Sequence, residues 1–148
     1  MQLERYEVHT VNAHDRFEFV SVGNNGDILK VVEFIVLDED GHIYNLGFGD
    51  VNPLTGEWDD KSVSNNGDRN KILATVGSIV VSFLDTYTEA AVYAQGSTRI
   101  RNILYQRTIE RFWQEIAGLY DVRGYKETGE WVSFERGGPF IAFLIKRK

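Results

Sequence analysis

The apolar stripe Ile72, Leu73, Val76, Ile79, Val80, Phe83, Leu84 and Tyr87 constrains this chain more than any other feature. Its members recur every three or four residues, the period of one helix face. A stripe of that width needs a sheet or a second helix to cover it. Ala90 to Ala94 follows at once, short and almost continuously apolar, with the composition of a strand buried on both faces. A helix leading into a buried strand, with strands before it, predicts a right-handed strand–helix–strand crossover in the middle of the chain.

The residues before the stripe read as strands. Tyr6, Val8 and Val11 begin a half-buried pattern, and Phe17, Phe19 and Ser21 alternate with Glu18, Val20 and Val22. Asn24-Asn25-Gly26-Asp27 is a turn signal that predicts a hairpin. The run Leu29 to Leu37, the turn Asp38-Glu39-Asp40-Gly41 and the return His42 to Phe48 extend it into an antiparallel meander. A long polar loop spans Gly49 to Gly67, and loops of such length often carry function. After the buried strand, Gly96-Ser97-Thr98 turns the chain into a second helix, with Ser97 or Thr98 as N-cap. That helix runs through Ile100, Ile103, Leu104, Phe112, Trp113, Ile116 and Leu119, with a bend expected near Arg107-Thr108. Asp121 to Tyr125 starts another strand. Trp131 to Glu135 and Phe140 to Ile145 are expected to close a last hairpin around Arg136-Gly137-Gly138-Pro139. The fold class is therefore α/β of the α+β type: one domain over residues 1–148, a central twisted, mostly antiparallel sheet, a β-α-β-α core and two main helices.

Charge and composition remove several function classes. The net charge is −6, which gives no general attraction for nucleic acid. The absence of cysteine excludes disulfides, thiolate metal sites and cysteine nucleophiles. No apolar stretch reaches the ~18 residues of a membrane span. The opening Met1-Gln2-Leu3-Glu4-Arg5-Tyr6 lacks a basic-then-apolar pattern, so a cytoplasmic protein with no membrane contact is expected.

Two segments are distinctive: Asp59 to Val76, containing Asn65-Asn66-Gly67-Asp68-Arg69-Asn70, and Gly96-Ser97-Thr98-Arg99-Ile100-Arg101-Asn102-Ile103-Leu104-Tyr105-Gln106. With the closing Ala142-Phe143-Leu144-Ile145-Lys146-Arg147, they resemble an uncharacterised family of small bacterial proteins, mostly from Bacteroidetes. That resemblance implies no activity. The order of elements also resembles the GCN5-related N-acetyltransferase fold without its first two helices. This second resemblance implies acetyl-CoA as cofactor. Asn65, Asn66, Gly67 and Arg69 would lie at the pyrophosphate loop, and Tyr105 near the CoA sulfur as general acid. The family loop has Arg or Gln, two spaced residues, then Gly-x-Gly or Gly-x-Ala, whereas this chain has one Gly and an Asp. In the later helix Leu104 and Tyr105 match, while Thr98 and Arg101 replace the family's Asn and Ala.

The residues themselves offer two anion-binding candidates. At the first, Gly67 lets backbone approach a phosphate, and Arg69 and Lys71 add charge beside free helix amides. Asp68 competes there, as a side chain able to cap those amides. The second is Gly96, Ser97, Thr98, Arg99 and Arg101, directly after a buried strand, with Tyr105 on the face of Arg101. Either junction also reads as a plain capped helix. Asp50, Asn52, Asp59 and Asp60 supply oxygen ligands without the spacing of a Ca²⁺ loop. His9, His14 and His42 lack zinc spacing, and no metal site is assigned.

Three functional classes stay open. One is a non-enzymatic domain that binds a small anionic ligand or a protein partner. Another is an acyl-CoA-dependent N-acyltransferase using Tyr105. The third is a single-strand nucleic-acid binder using Arg99, Arg101, Arg107 and Arg111 with Tyr105 and Trp113; Glu110, Glu115 and the acidic chain disfavour it.

Overall fold

The computed structural model describes residues 4–11, 15–60 and 65–148. His14 and Lys61 to Ser64 lie outside the described residues. The early meander forms as its alternation predicts. Strand β1 (His9–Val11) pairs with β2 (Arg16–Gly23), β2 with β3 (Gly26–Val36), and β3 with β4 (Ile43–Val51), all antiparallel. The β2–β3 turn is Asn24-Asn25, closed by the pair Gly23↔Gly26. Phe17, Phe19 and Ser21 are buried on one face of β2, while Val20 and Val22 point outward.

The stripe becomes helix α1 (Arg69–Thr86). Its buried Val76, Ile79, Val80, Phe83 and Leu84 cover the inner face of the sheet. Phe83 stacks on Phe34 with ring centroids 4.0 Å apart, and burying such a ring is worth about 2–3 kcal/mol. Buried Thr75 tethers the segment before β1: its Oγ1 accepts from the Tyr6 amide at 2.8 Å. After α1, β6 (Ala91–Ala94) runs parallel to β4, which completes the expected crossover.

Helix α2 (Arg99–Arg111) follows β6 and packs against α1. The expected bend lies later than Arg107-Thr108. It falls at Phe112, beyond which one turn, α3 (Trp113–Ile116), continues the apolar face. The chain then forms β7 (Tyr120–Lys126), β8 (Trp131–Ser133) and β9 (Phe140–Arg147). The expected hairpin between the last two runs does not form. Strand β8 pairs with β7, and β9 inserts between β6 and β7, antiparallel to both. Phe140, Ala142 and Phe143 are buried, as a central strand requires and an edge hairpin does not.

The long loop is also shorter than its composition suggests. Two-residue strand β5 (Trp58–Asp59) folds back to pair with the end of β4. Among the described residues the architecture is a single α+β domain: a nine-stranded mixed sheet, ordered β1-β2-β3-β4-β6-β9-β7-β8 with β5 on β4, and three helices. No helix among the described residues is long and apolar enough to cross a membrane.

Candidate functional site

Strands β4 and β6 are paired only from Ile43↔Ala91 to Asn45↔Tyr93. Beyond that point β6 ends and the chain turns at Gln95-Gly96, while β4 continues and takes β5 as its new partner. A cleft of about 380 Å³ opens where the two strands part. Asn45 to Phe48 line it from β4, Trp58 and Asp60 from the β5 side, and Gly96, Ser97, Arg101 and Tyr105 from the start of α2.

Local chemistry explains each wall. Gly47 has no side chain because Trp58 lies there: a Cβ at Gly47 would come within 2.8 Å of the indole. Gly96 is needed because the turn presses on α2, where a Cβ would lie 2.2 Å from the Asn102 amide nitrogen. Thr98 is the N-cap, its Oγ1 accepting from the Arg101 amide at 3.1 Å. The Gly96 amide donates to Asn102 Oδ1, so that amide is already satisfied. Ser97 Oγ donates to the Asp60 carbonyl at 2.7 Å. Arg101 donates to the carbonyls of Phe48 and Asp60, and its guanidinium lies over the Phe48 ring, 5.2 Å from the centroid. These bonds fasten the β5 excursion to α2.

Tyr105 stands out in this cleft. It is only 8% exposed, yet among the described residues its hydroxyl has no hydrogen-bond partner. Burial pushes its phenol up to about 12, with Asp60 reinforcing the shift and Arg101 opposing it. The hydroxyl is therefore neutral throughout the physiological range.

The other junction is built differently. Asn66 is 3% exposed and plugs the β2–β3 turn. Its Nδ2 donates to Ser21 Oγ at 3.0 Å and to the Gly26 carbonyl at 2.9 Å. Its Oδ1 accepts from the Asn25 amide, and its carbonyl from the Asn24 amide. Asn65, at φ 47°, and Gly67, at φ 80°, supply the left-handed backbone that delivers this plug. Asp68 sits at the N-cap position of α1 without capping it; its Oδ2 accepts from the hydroxyls of Tyr6 and Ser21 instead.

The structure thus brings Gly96, Ser97, Arg101 and Tyr105 to one cleft. Thr98 serves there as a cap, and Arg99 is exposed beside it. Asn65, Asn66 and Gly67 lie against the β2–β3 turn, and Arg69 lines a separate groove between α1 and α2. Of the acidic loop residues, Asp50 and Asp59 face each other across the β4–β5 pair, Asp50 also pairs with buried Lys30, and Asn52 Oδ1 accepts from the Leu54 amide. No group of three His, Cys, Asp or Glu gathers as a metal site among the described residues.

A family model matches residues 2–148. The chain belongs to DUF6934, a family of unknown function. No curated protein and no solved structure matches it. In this DUF6934 member, sequence reasoning missed Phe48, Trp58 and Gln95 as cleft residues. One signal was available: Gly47 and Gly49 alternate within a strand, and glycine in a strand interior often marks the close approach of another group.

Proposed function

We propose that this protein is a small-ligand-binding domain whose site is the cleft between β4 and β6. The hydroxyl of Tyr105, which lines the cleft with no protein hydrogen-bond partner among the described residues, carries the reading. Solvent reaches that oxygen in the cleft, and a polar group of a ligand can take the place of water on it. The cleft offers amides from Asn45 and Gln95, the Ser97 hydroxyl, and the aromatic surfaces of Phe48 and Trp58. Arg101 and Asp60 put both signs of charge at its rim. The fitting ligand is small, partly flat and polar, with its hydrogen-bonding edge toward Tyr105.

Binding is favoured over catalysis on acid–base grounds. A general acid works best with a pKa near the operating pH, and Tyr105 is held at about 12. No histidine lines the cleft.

A second reading rests on one specific observation. Two parallel strands that part, with a helix between them and a Tyr-bearing helix after the second, follow an order similar to the N-acetyltransferase fold. Acetyl-CoA would then lie in the parting, with Tyr105 toward its sulfur and Arg69 toward its phosphates. The commitment of Asn66 to the β2–β3 turn weighs against a phosphate loop there.

Thermal melting separates the two. A panel of amino acids, amides, nucleosides and acetyl-CoA is screened against the protein and its Tyr105→Phe variant. Ligand at about 100 times its dissociation constant adds roughly 2.7 kcal/mol. The binding reading expects a hit that Tyr105→Phe weakens and that undergoes no turnover. Acetyl-CoA as the sole hit, with acyl transfer to an amine, supports the second. No hit at millimolar concentration, or hits indifferent to Tyr105→Phe, defeats the binding reading.

A further inference from the structure

A second hollow, of about 240 Å³, lies between the first half of α1 and the second half of α2. Arg69, Arg107 and Arg111 line it, over an apolar floor that includes Leu73, Leu104 and Phe112. All three arginines are exposed, and none forms an ion pair among the described residues. The residues outside the description contain no Asp or Glu, so none of them can supply a carboxylate. Nearby Glu110 is turned away: its Oε2 accepts from the Gly137 amide at 2.7 Å and from Gln106.

This placement is electrostatically unfavourable by itself. Arg107 and Arg111 stand four residues apart on one helix face, a repulsive spacing for like charges. Arg69 opens α1, where the helix dipole disfavours a cation and no acidic residue occupies the first turn. Arg16, Lys30, Lys71, Arg123 and Arg147 have carboxylate partners, and none of them lines the groove. Three unmatched guanidiniums converging on one groove call for an anion.

We infer that the α1–α2 groove binds a phosphomonoester, its phosphoryl group held by Arg69, Arg107 and Arg111 and its organic part on the apolar floor. Guanidinium forks match phosphoryl oxygens in pairs, and a dianion best offsets three converging cations. The hollow has room for one phosphoryl and a small organic group. A nucleic-acid strand would need a longer basic track, which a chain of net charge −6 does not provide.

Calorimetric titration of the full chain at low salt tests this, using phenyl phosphate, inorganic phosphate and phenol. Phenyl phosphate is expected to bind one-to-one, more tightly than inorganic phosphate, with phenol silent. Arg107→Gln with Arg111→Gln should weaken it about tenfold or more, since charge-assisted contacts are lost. The same double variant should melt no lower than the parent, because a like-charge pair is relieved. Tyr105→Phe should leave phenyl phosphate binding unchanged, which separates this groove from the cleft. Absence of binding at about 10 mM ligand, where even weak sites fill, or full affinity in the double variant, overturns the inference. Oligonucleotide affinity that rises with length and exceeds that of phenyl phosphate overturns it in favour of nucleic acid.

Discussion

The turns that lead into α1 and α2 look alike in sequence and end in opposite states. Each sets glycine beside small polar residues ahead of a long helix. At Asn65-Asn66-Gly67, left-handed backbone drives a carboxamide into the neighbouring hairpin, and the space is filled. At Gly96-Ser97-Thr98, the local groups satisfy one another through Asn102 and Thr98, and the space beyond stays open in front of Tyr105. A glycine-polar helix start therefore specifies a tight turn and nothing more. Whether it becomes a site depends on which distant side chain arrives. Asn24 and Asn25 close the first, whereas the parting of β4 from β6 keeps the second open.

The sharpest way to break this contrast is Asn66→Ala. It removes a 3% exposed amide and strands the partners it served on Ser21, Asn25 and Gly26. Three hydrogen bonds are lost, each worth about 1 kcal/mol, so a loss of roughly 3 kcal/mol is expected. Urea unfolding measures it. A change under about 1 kcal/mol, the worth of a single ordinary hydrogen bond, would mean that the plug adds little and the two turns are energetically alike.

Much of this molecule can be read from local pattern. The α1 stripe, the Asn24-Asn25 hairpin and the Ala91–Ala94 strand all follow from periodicity and turn chemistry, which act within a few residues. What stays hidden depends on distant contacts. Strand β5 is two residues long and exists because Trp58 finds the bare backbone of Gly47 and Gly49. Strand β9 is plainly apolar, but nothing local says that it slots between β6 and β7. The same limit applies to the sites. Gly96, Ser97, Arg101 and Tyr105 share a short stretch, so their convergence is legible. Asn66 is as polar as any loop residue, and only its partner some 40 residues away reveals a plug.

A second prediction tests the open side through alkaline pH. Tyr105 is raised from the ordinary phenol value of 10 to about 12 by burial. The unfolded phenol ionises first, so the stability it contributes is complete below pH 10 and is lost as pH climbs toward 12. Two pKa units correspond to about 2.7 kcal/mol, and roughly 2 kcal/mol is a fair expectation for a hydroxyl at the edge of a cleft. Tyr105→Phe deletes that loss. The variant should match the parent within about 0.5 kcal/mol at pH 8, since no hydrogen bond is removed, and should overtake it above pH 10. Tyr120, also raised to about 12, titrates in both proteins and cancels in the difference. Parallel stability curves from pH 8 to 12 would mean that the Tyr105 phenol ionises as easily in the folded protein as in the unfolded chain.

The smallest expected effect probes how the cleft is held open. Gly47→Ala sets a methyl group 2.8 Å from the Trp58 ring, too close for both to keep their places. The ring is half-buried and can slide outward, so a cost of about 1 kcal/mol is expected, at the low end for overpacking. The consequence should be local. Trp58 forms a wall of the cleft, and Asp60, two residues on, accepts from Ser97 and Arg101. Moving the ring should shift the Trp58 indole and Tyr105 resonances while those of the Asn66 plug stay fixed. If the Asn66 carboxamide shifts as much as the Trp58 indole, the two turns are mechanically coupled through β3 and β4, and the filled one helps to shape the open one.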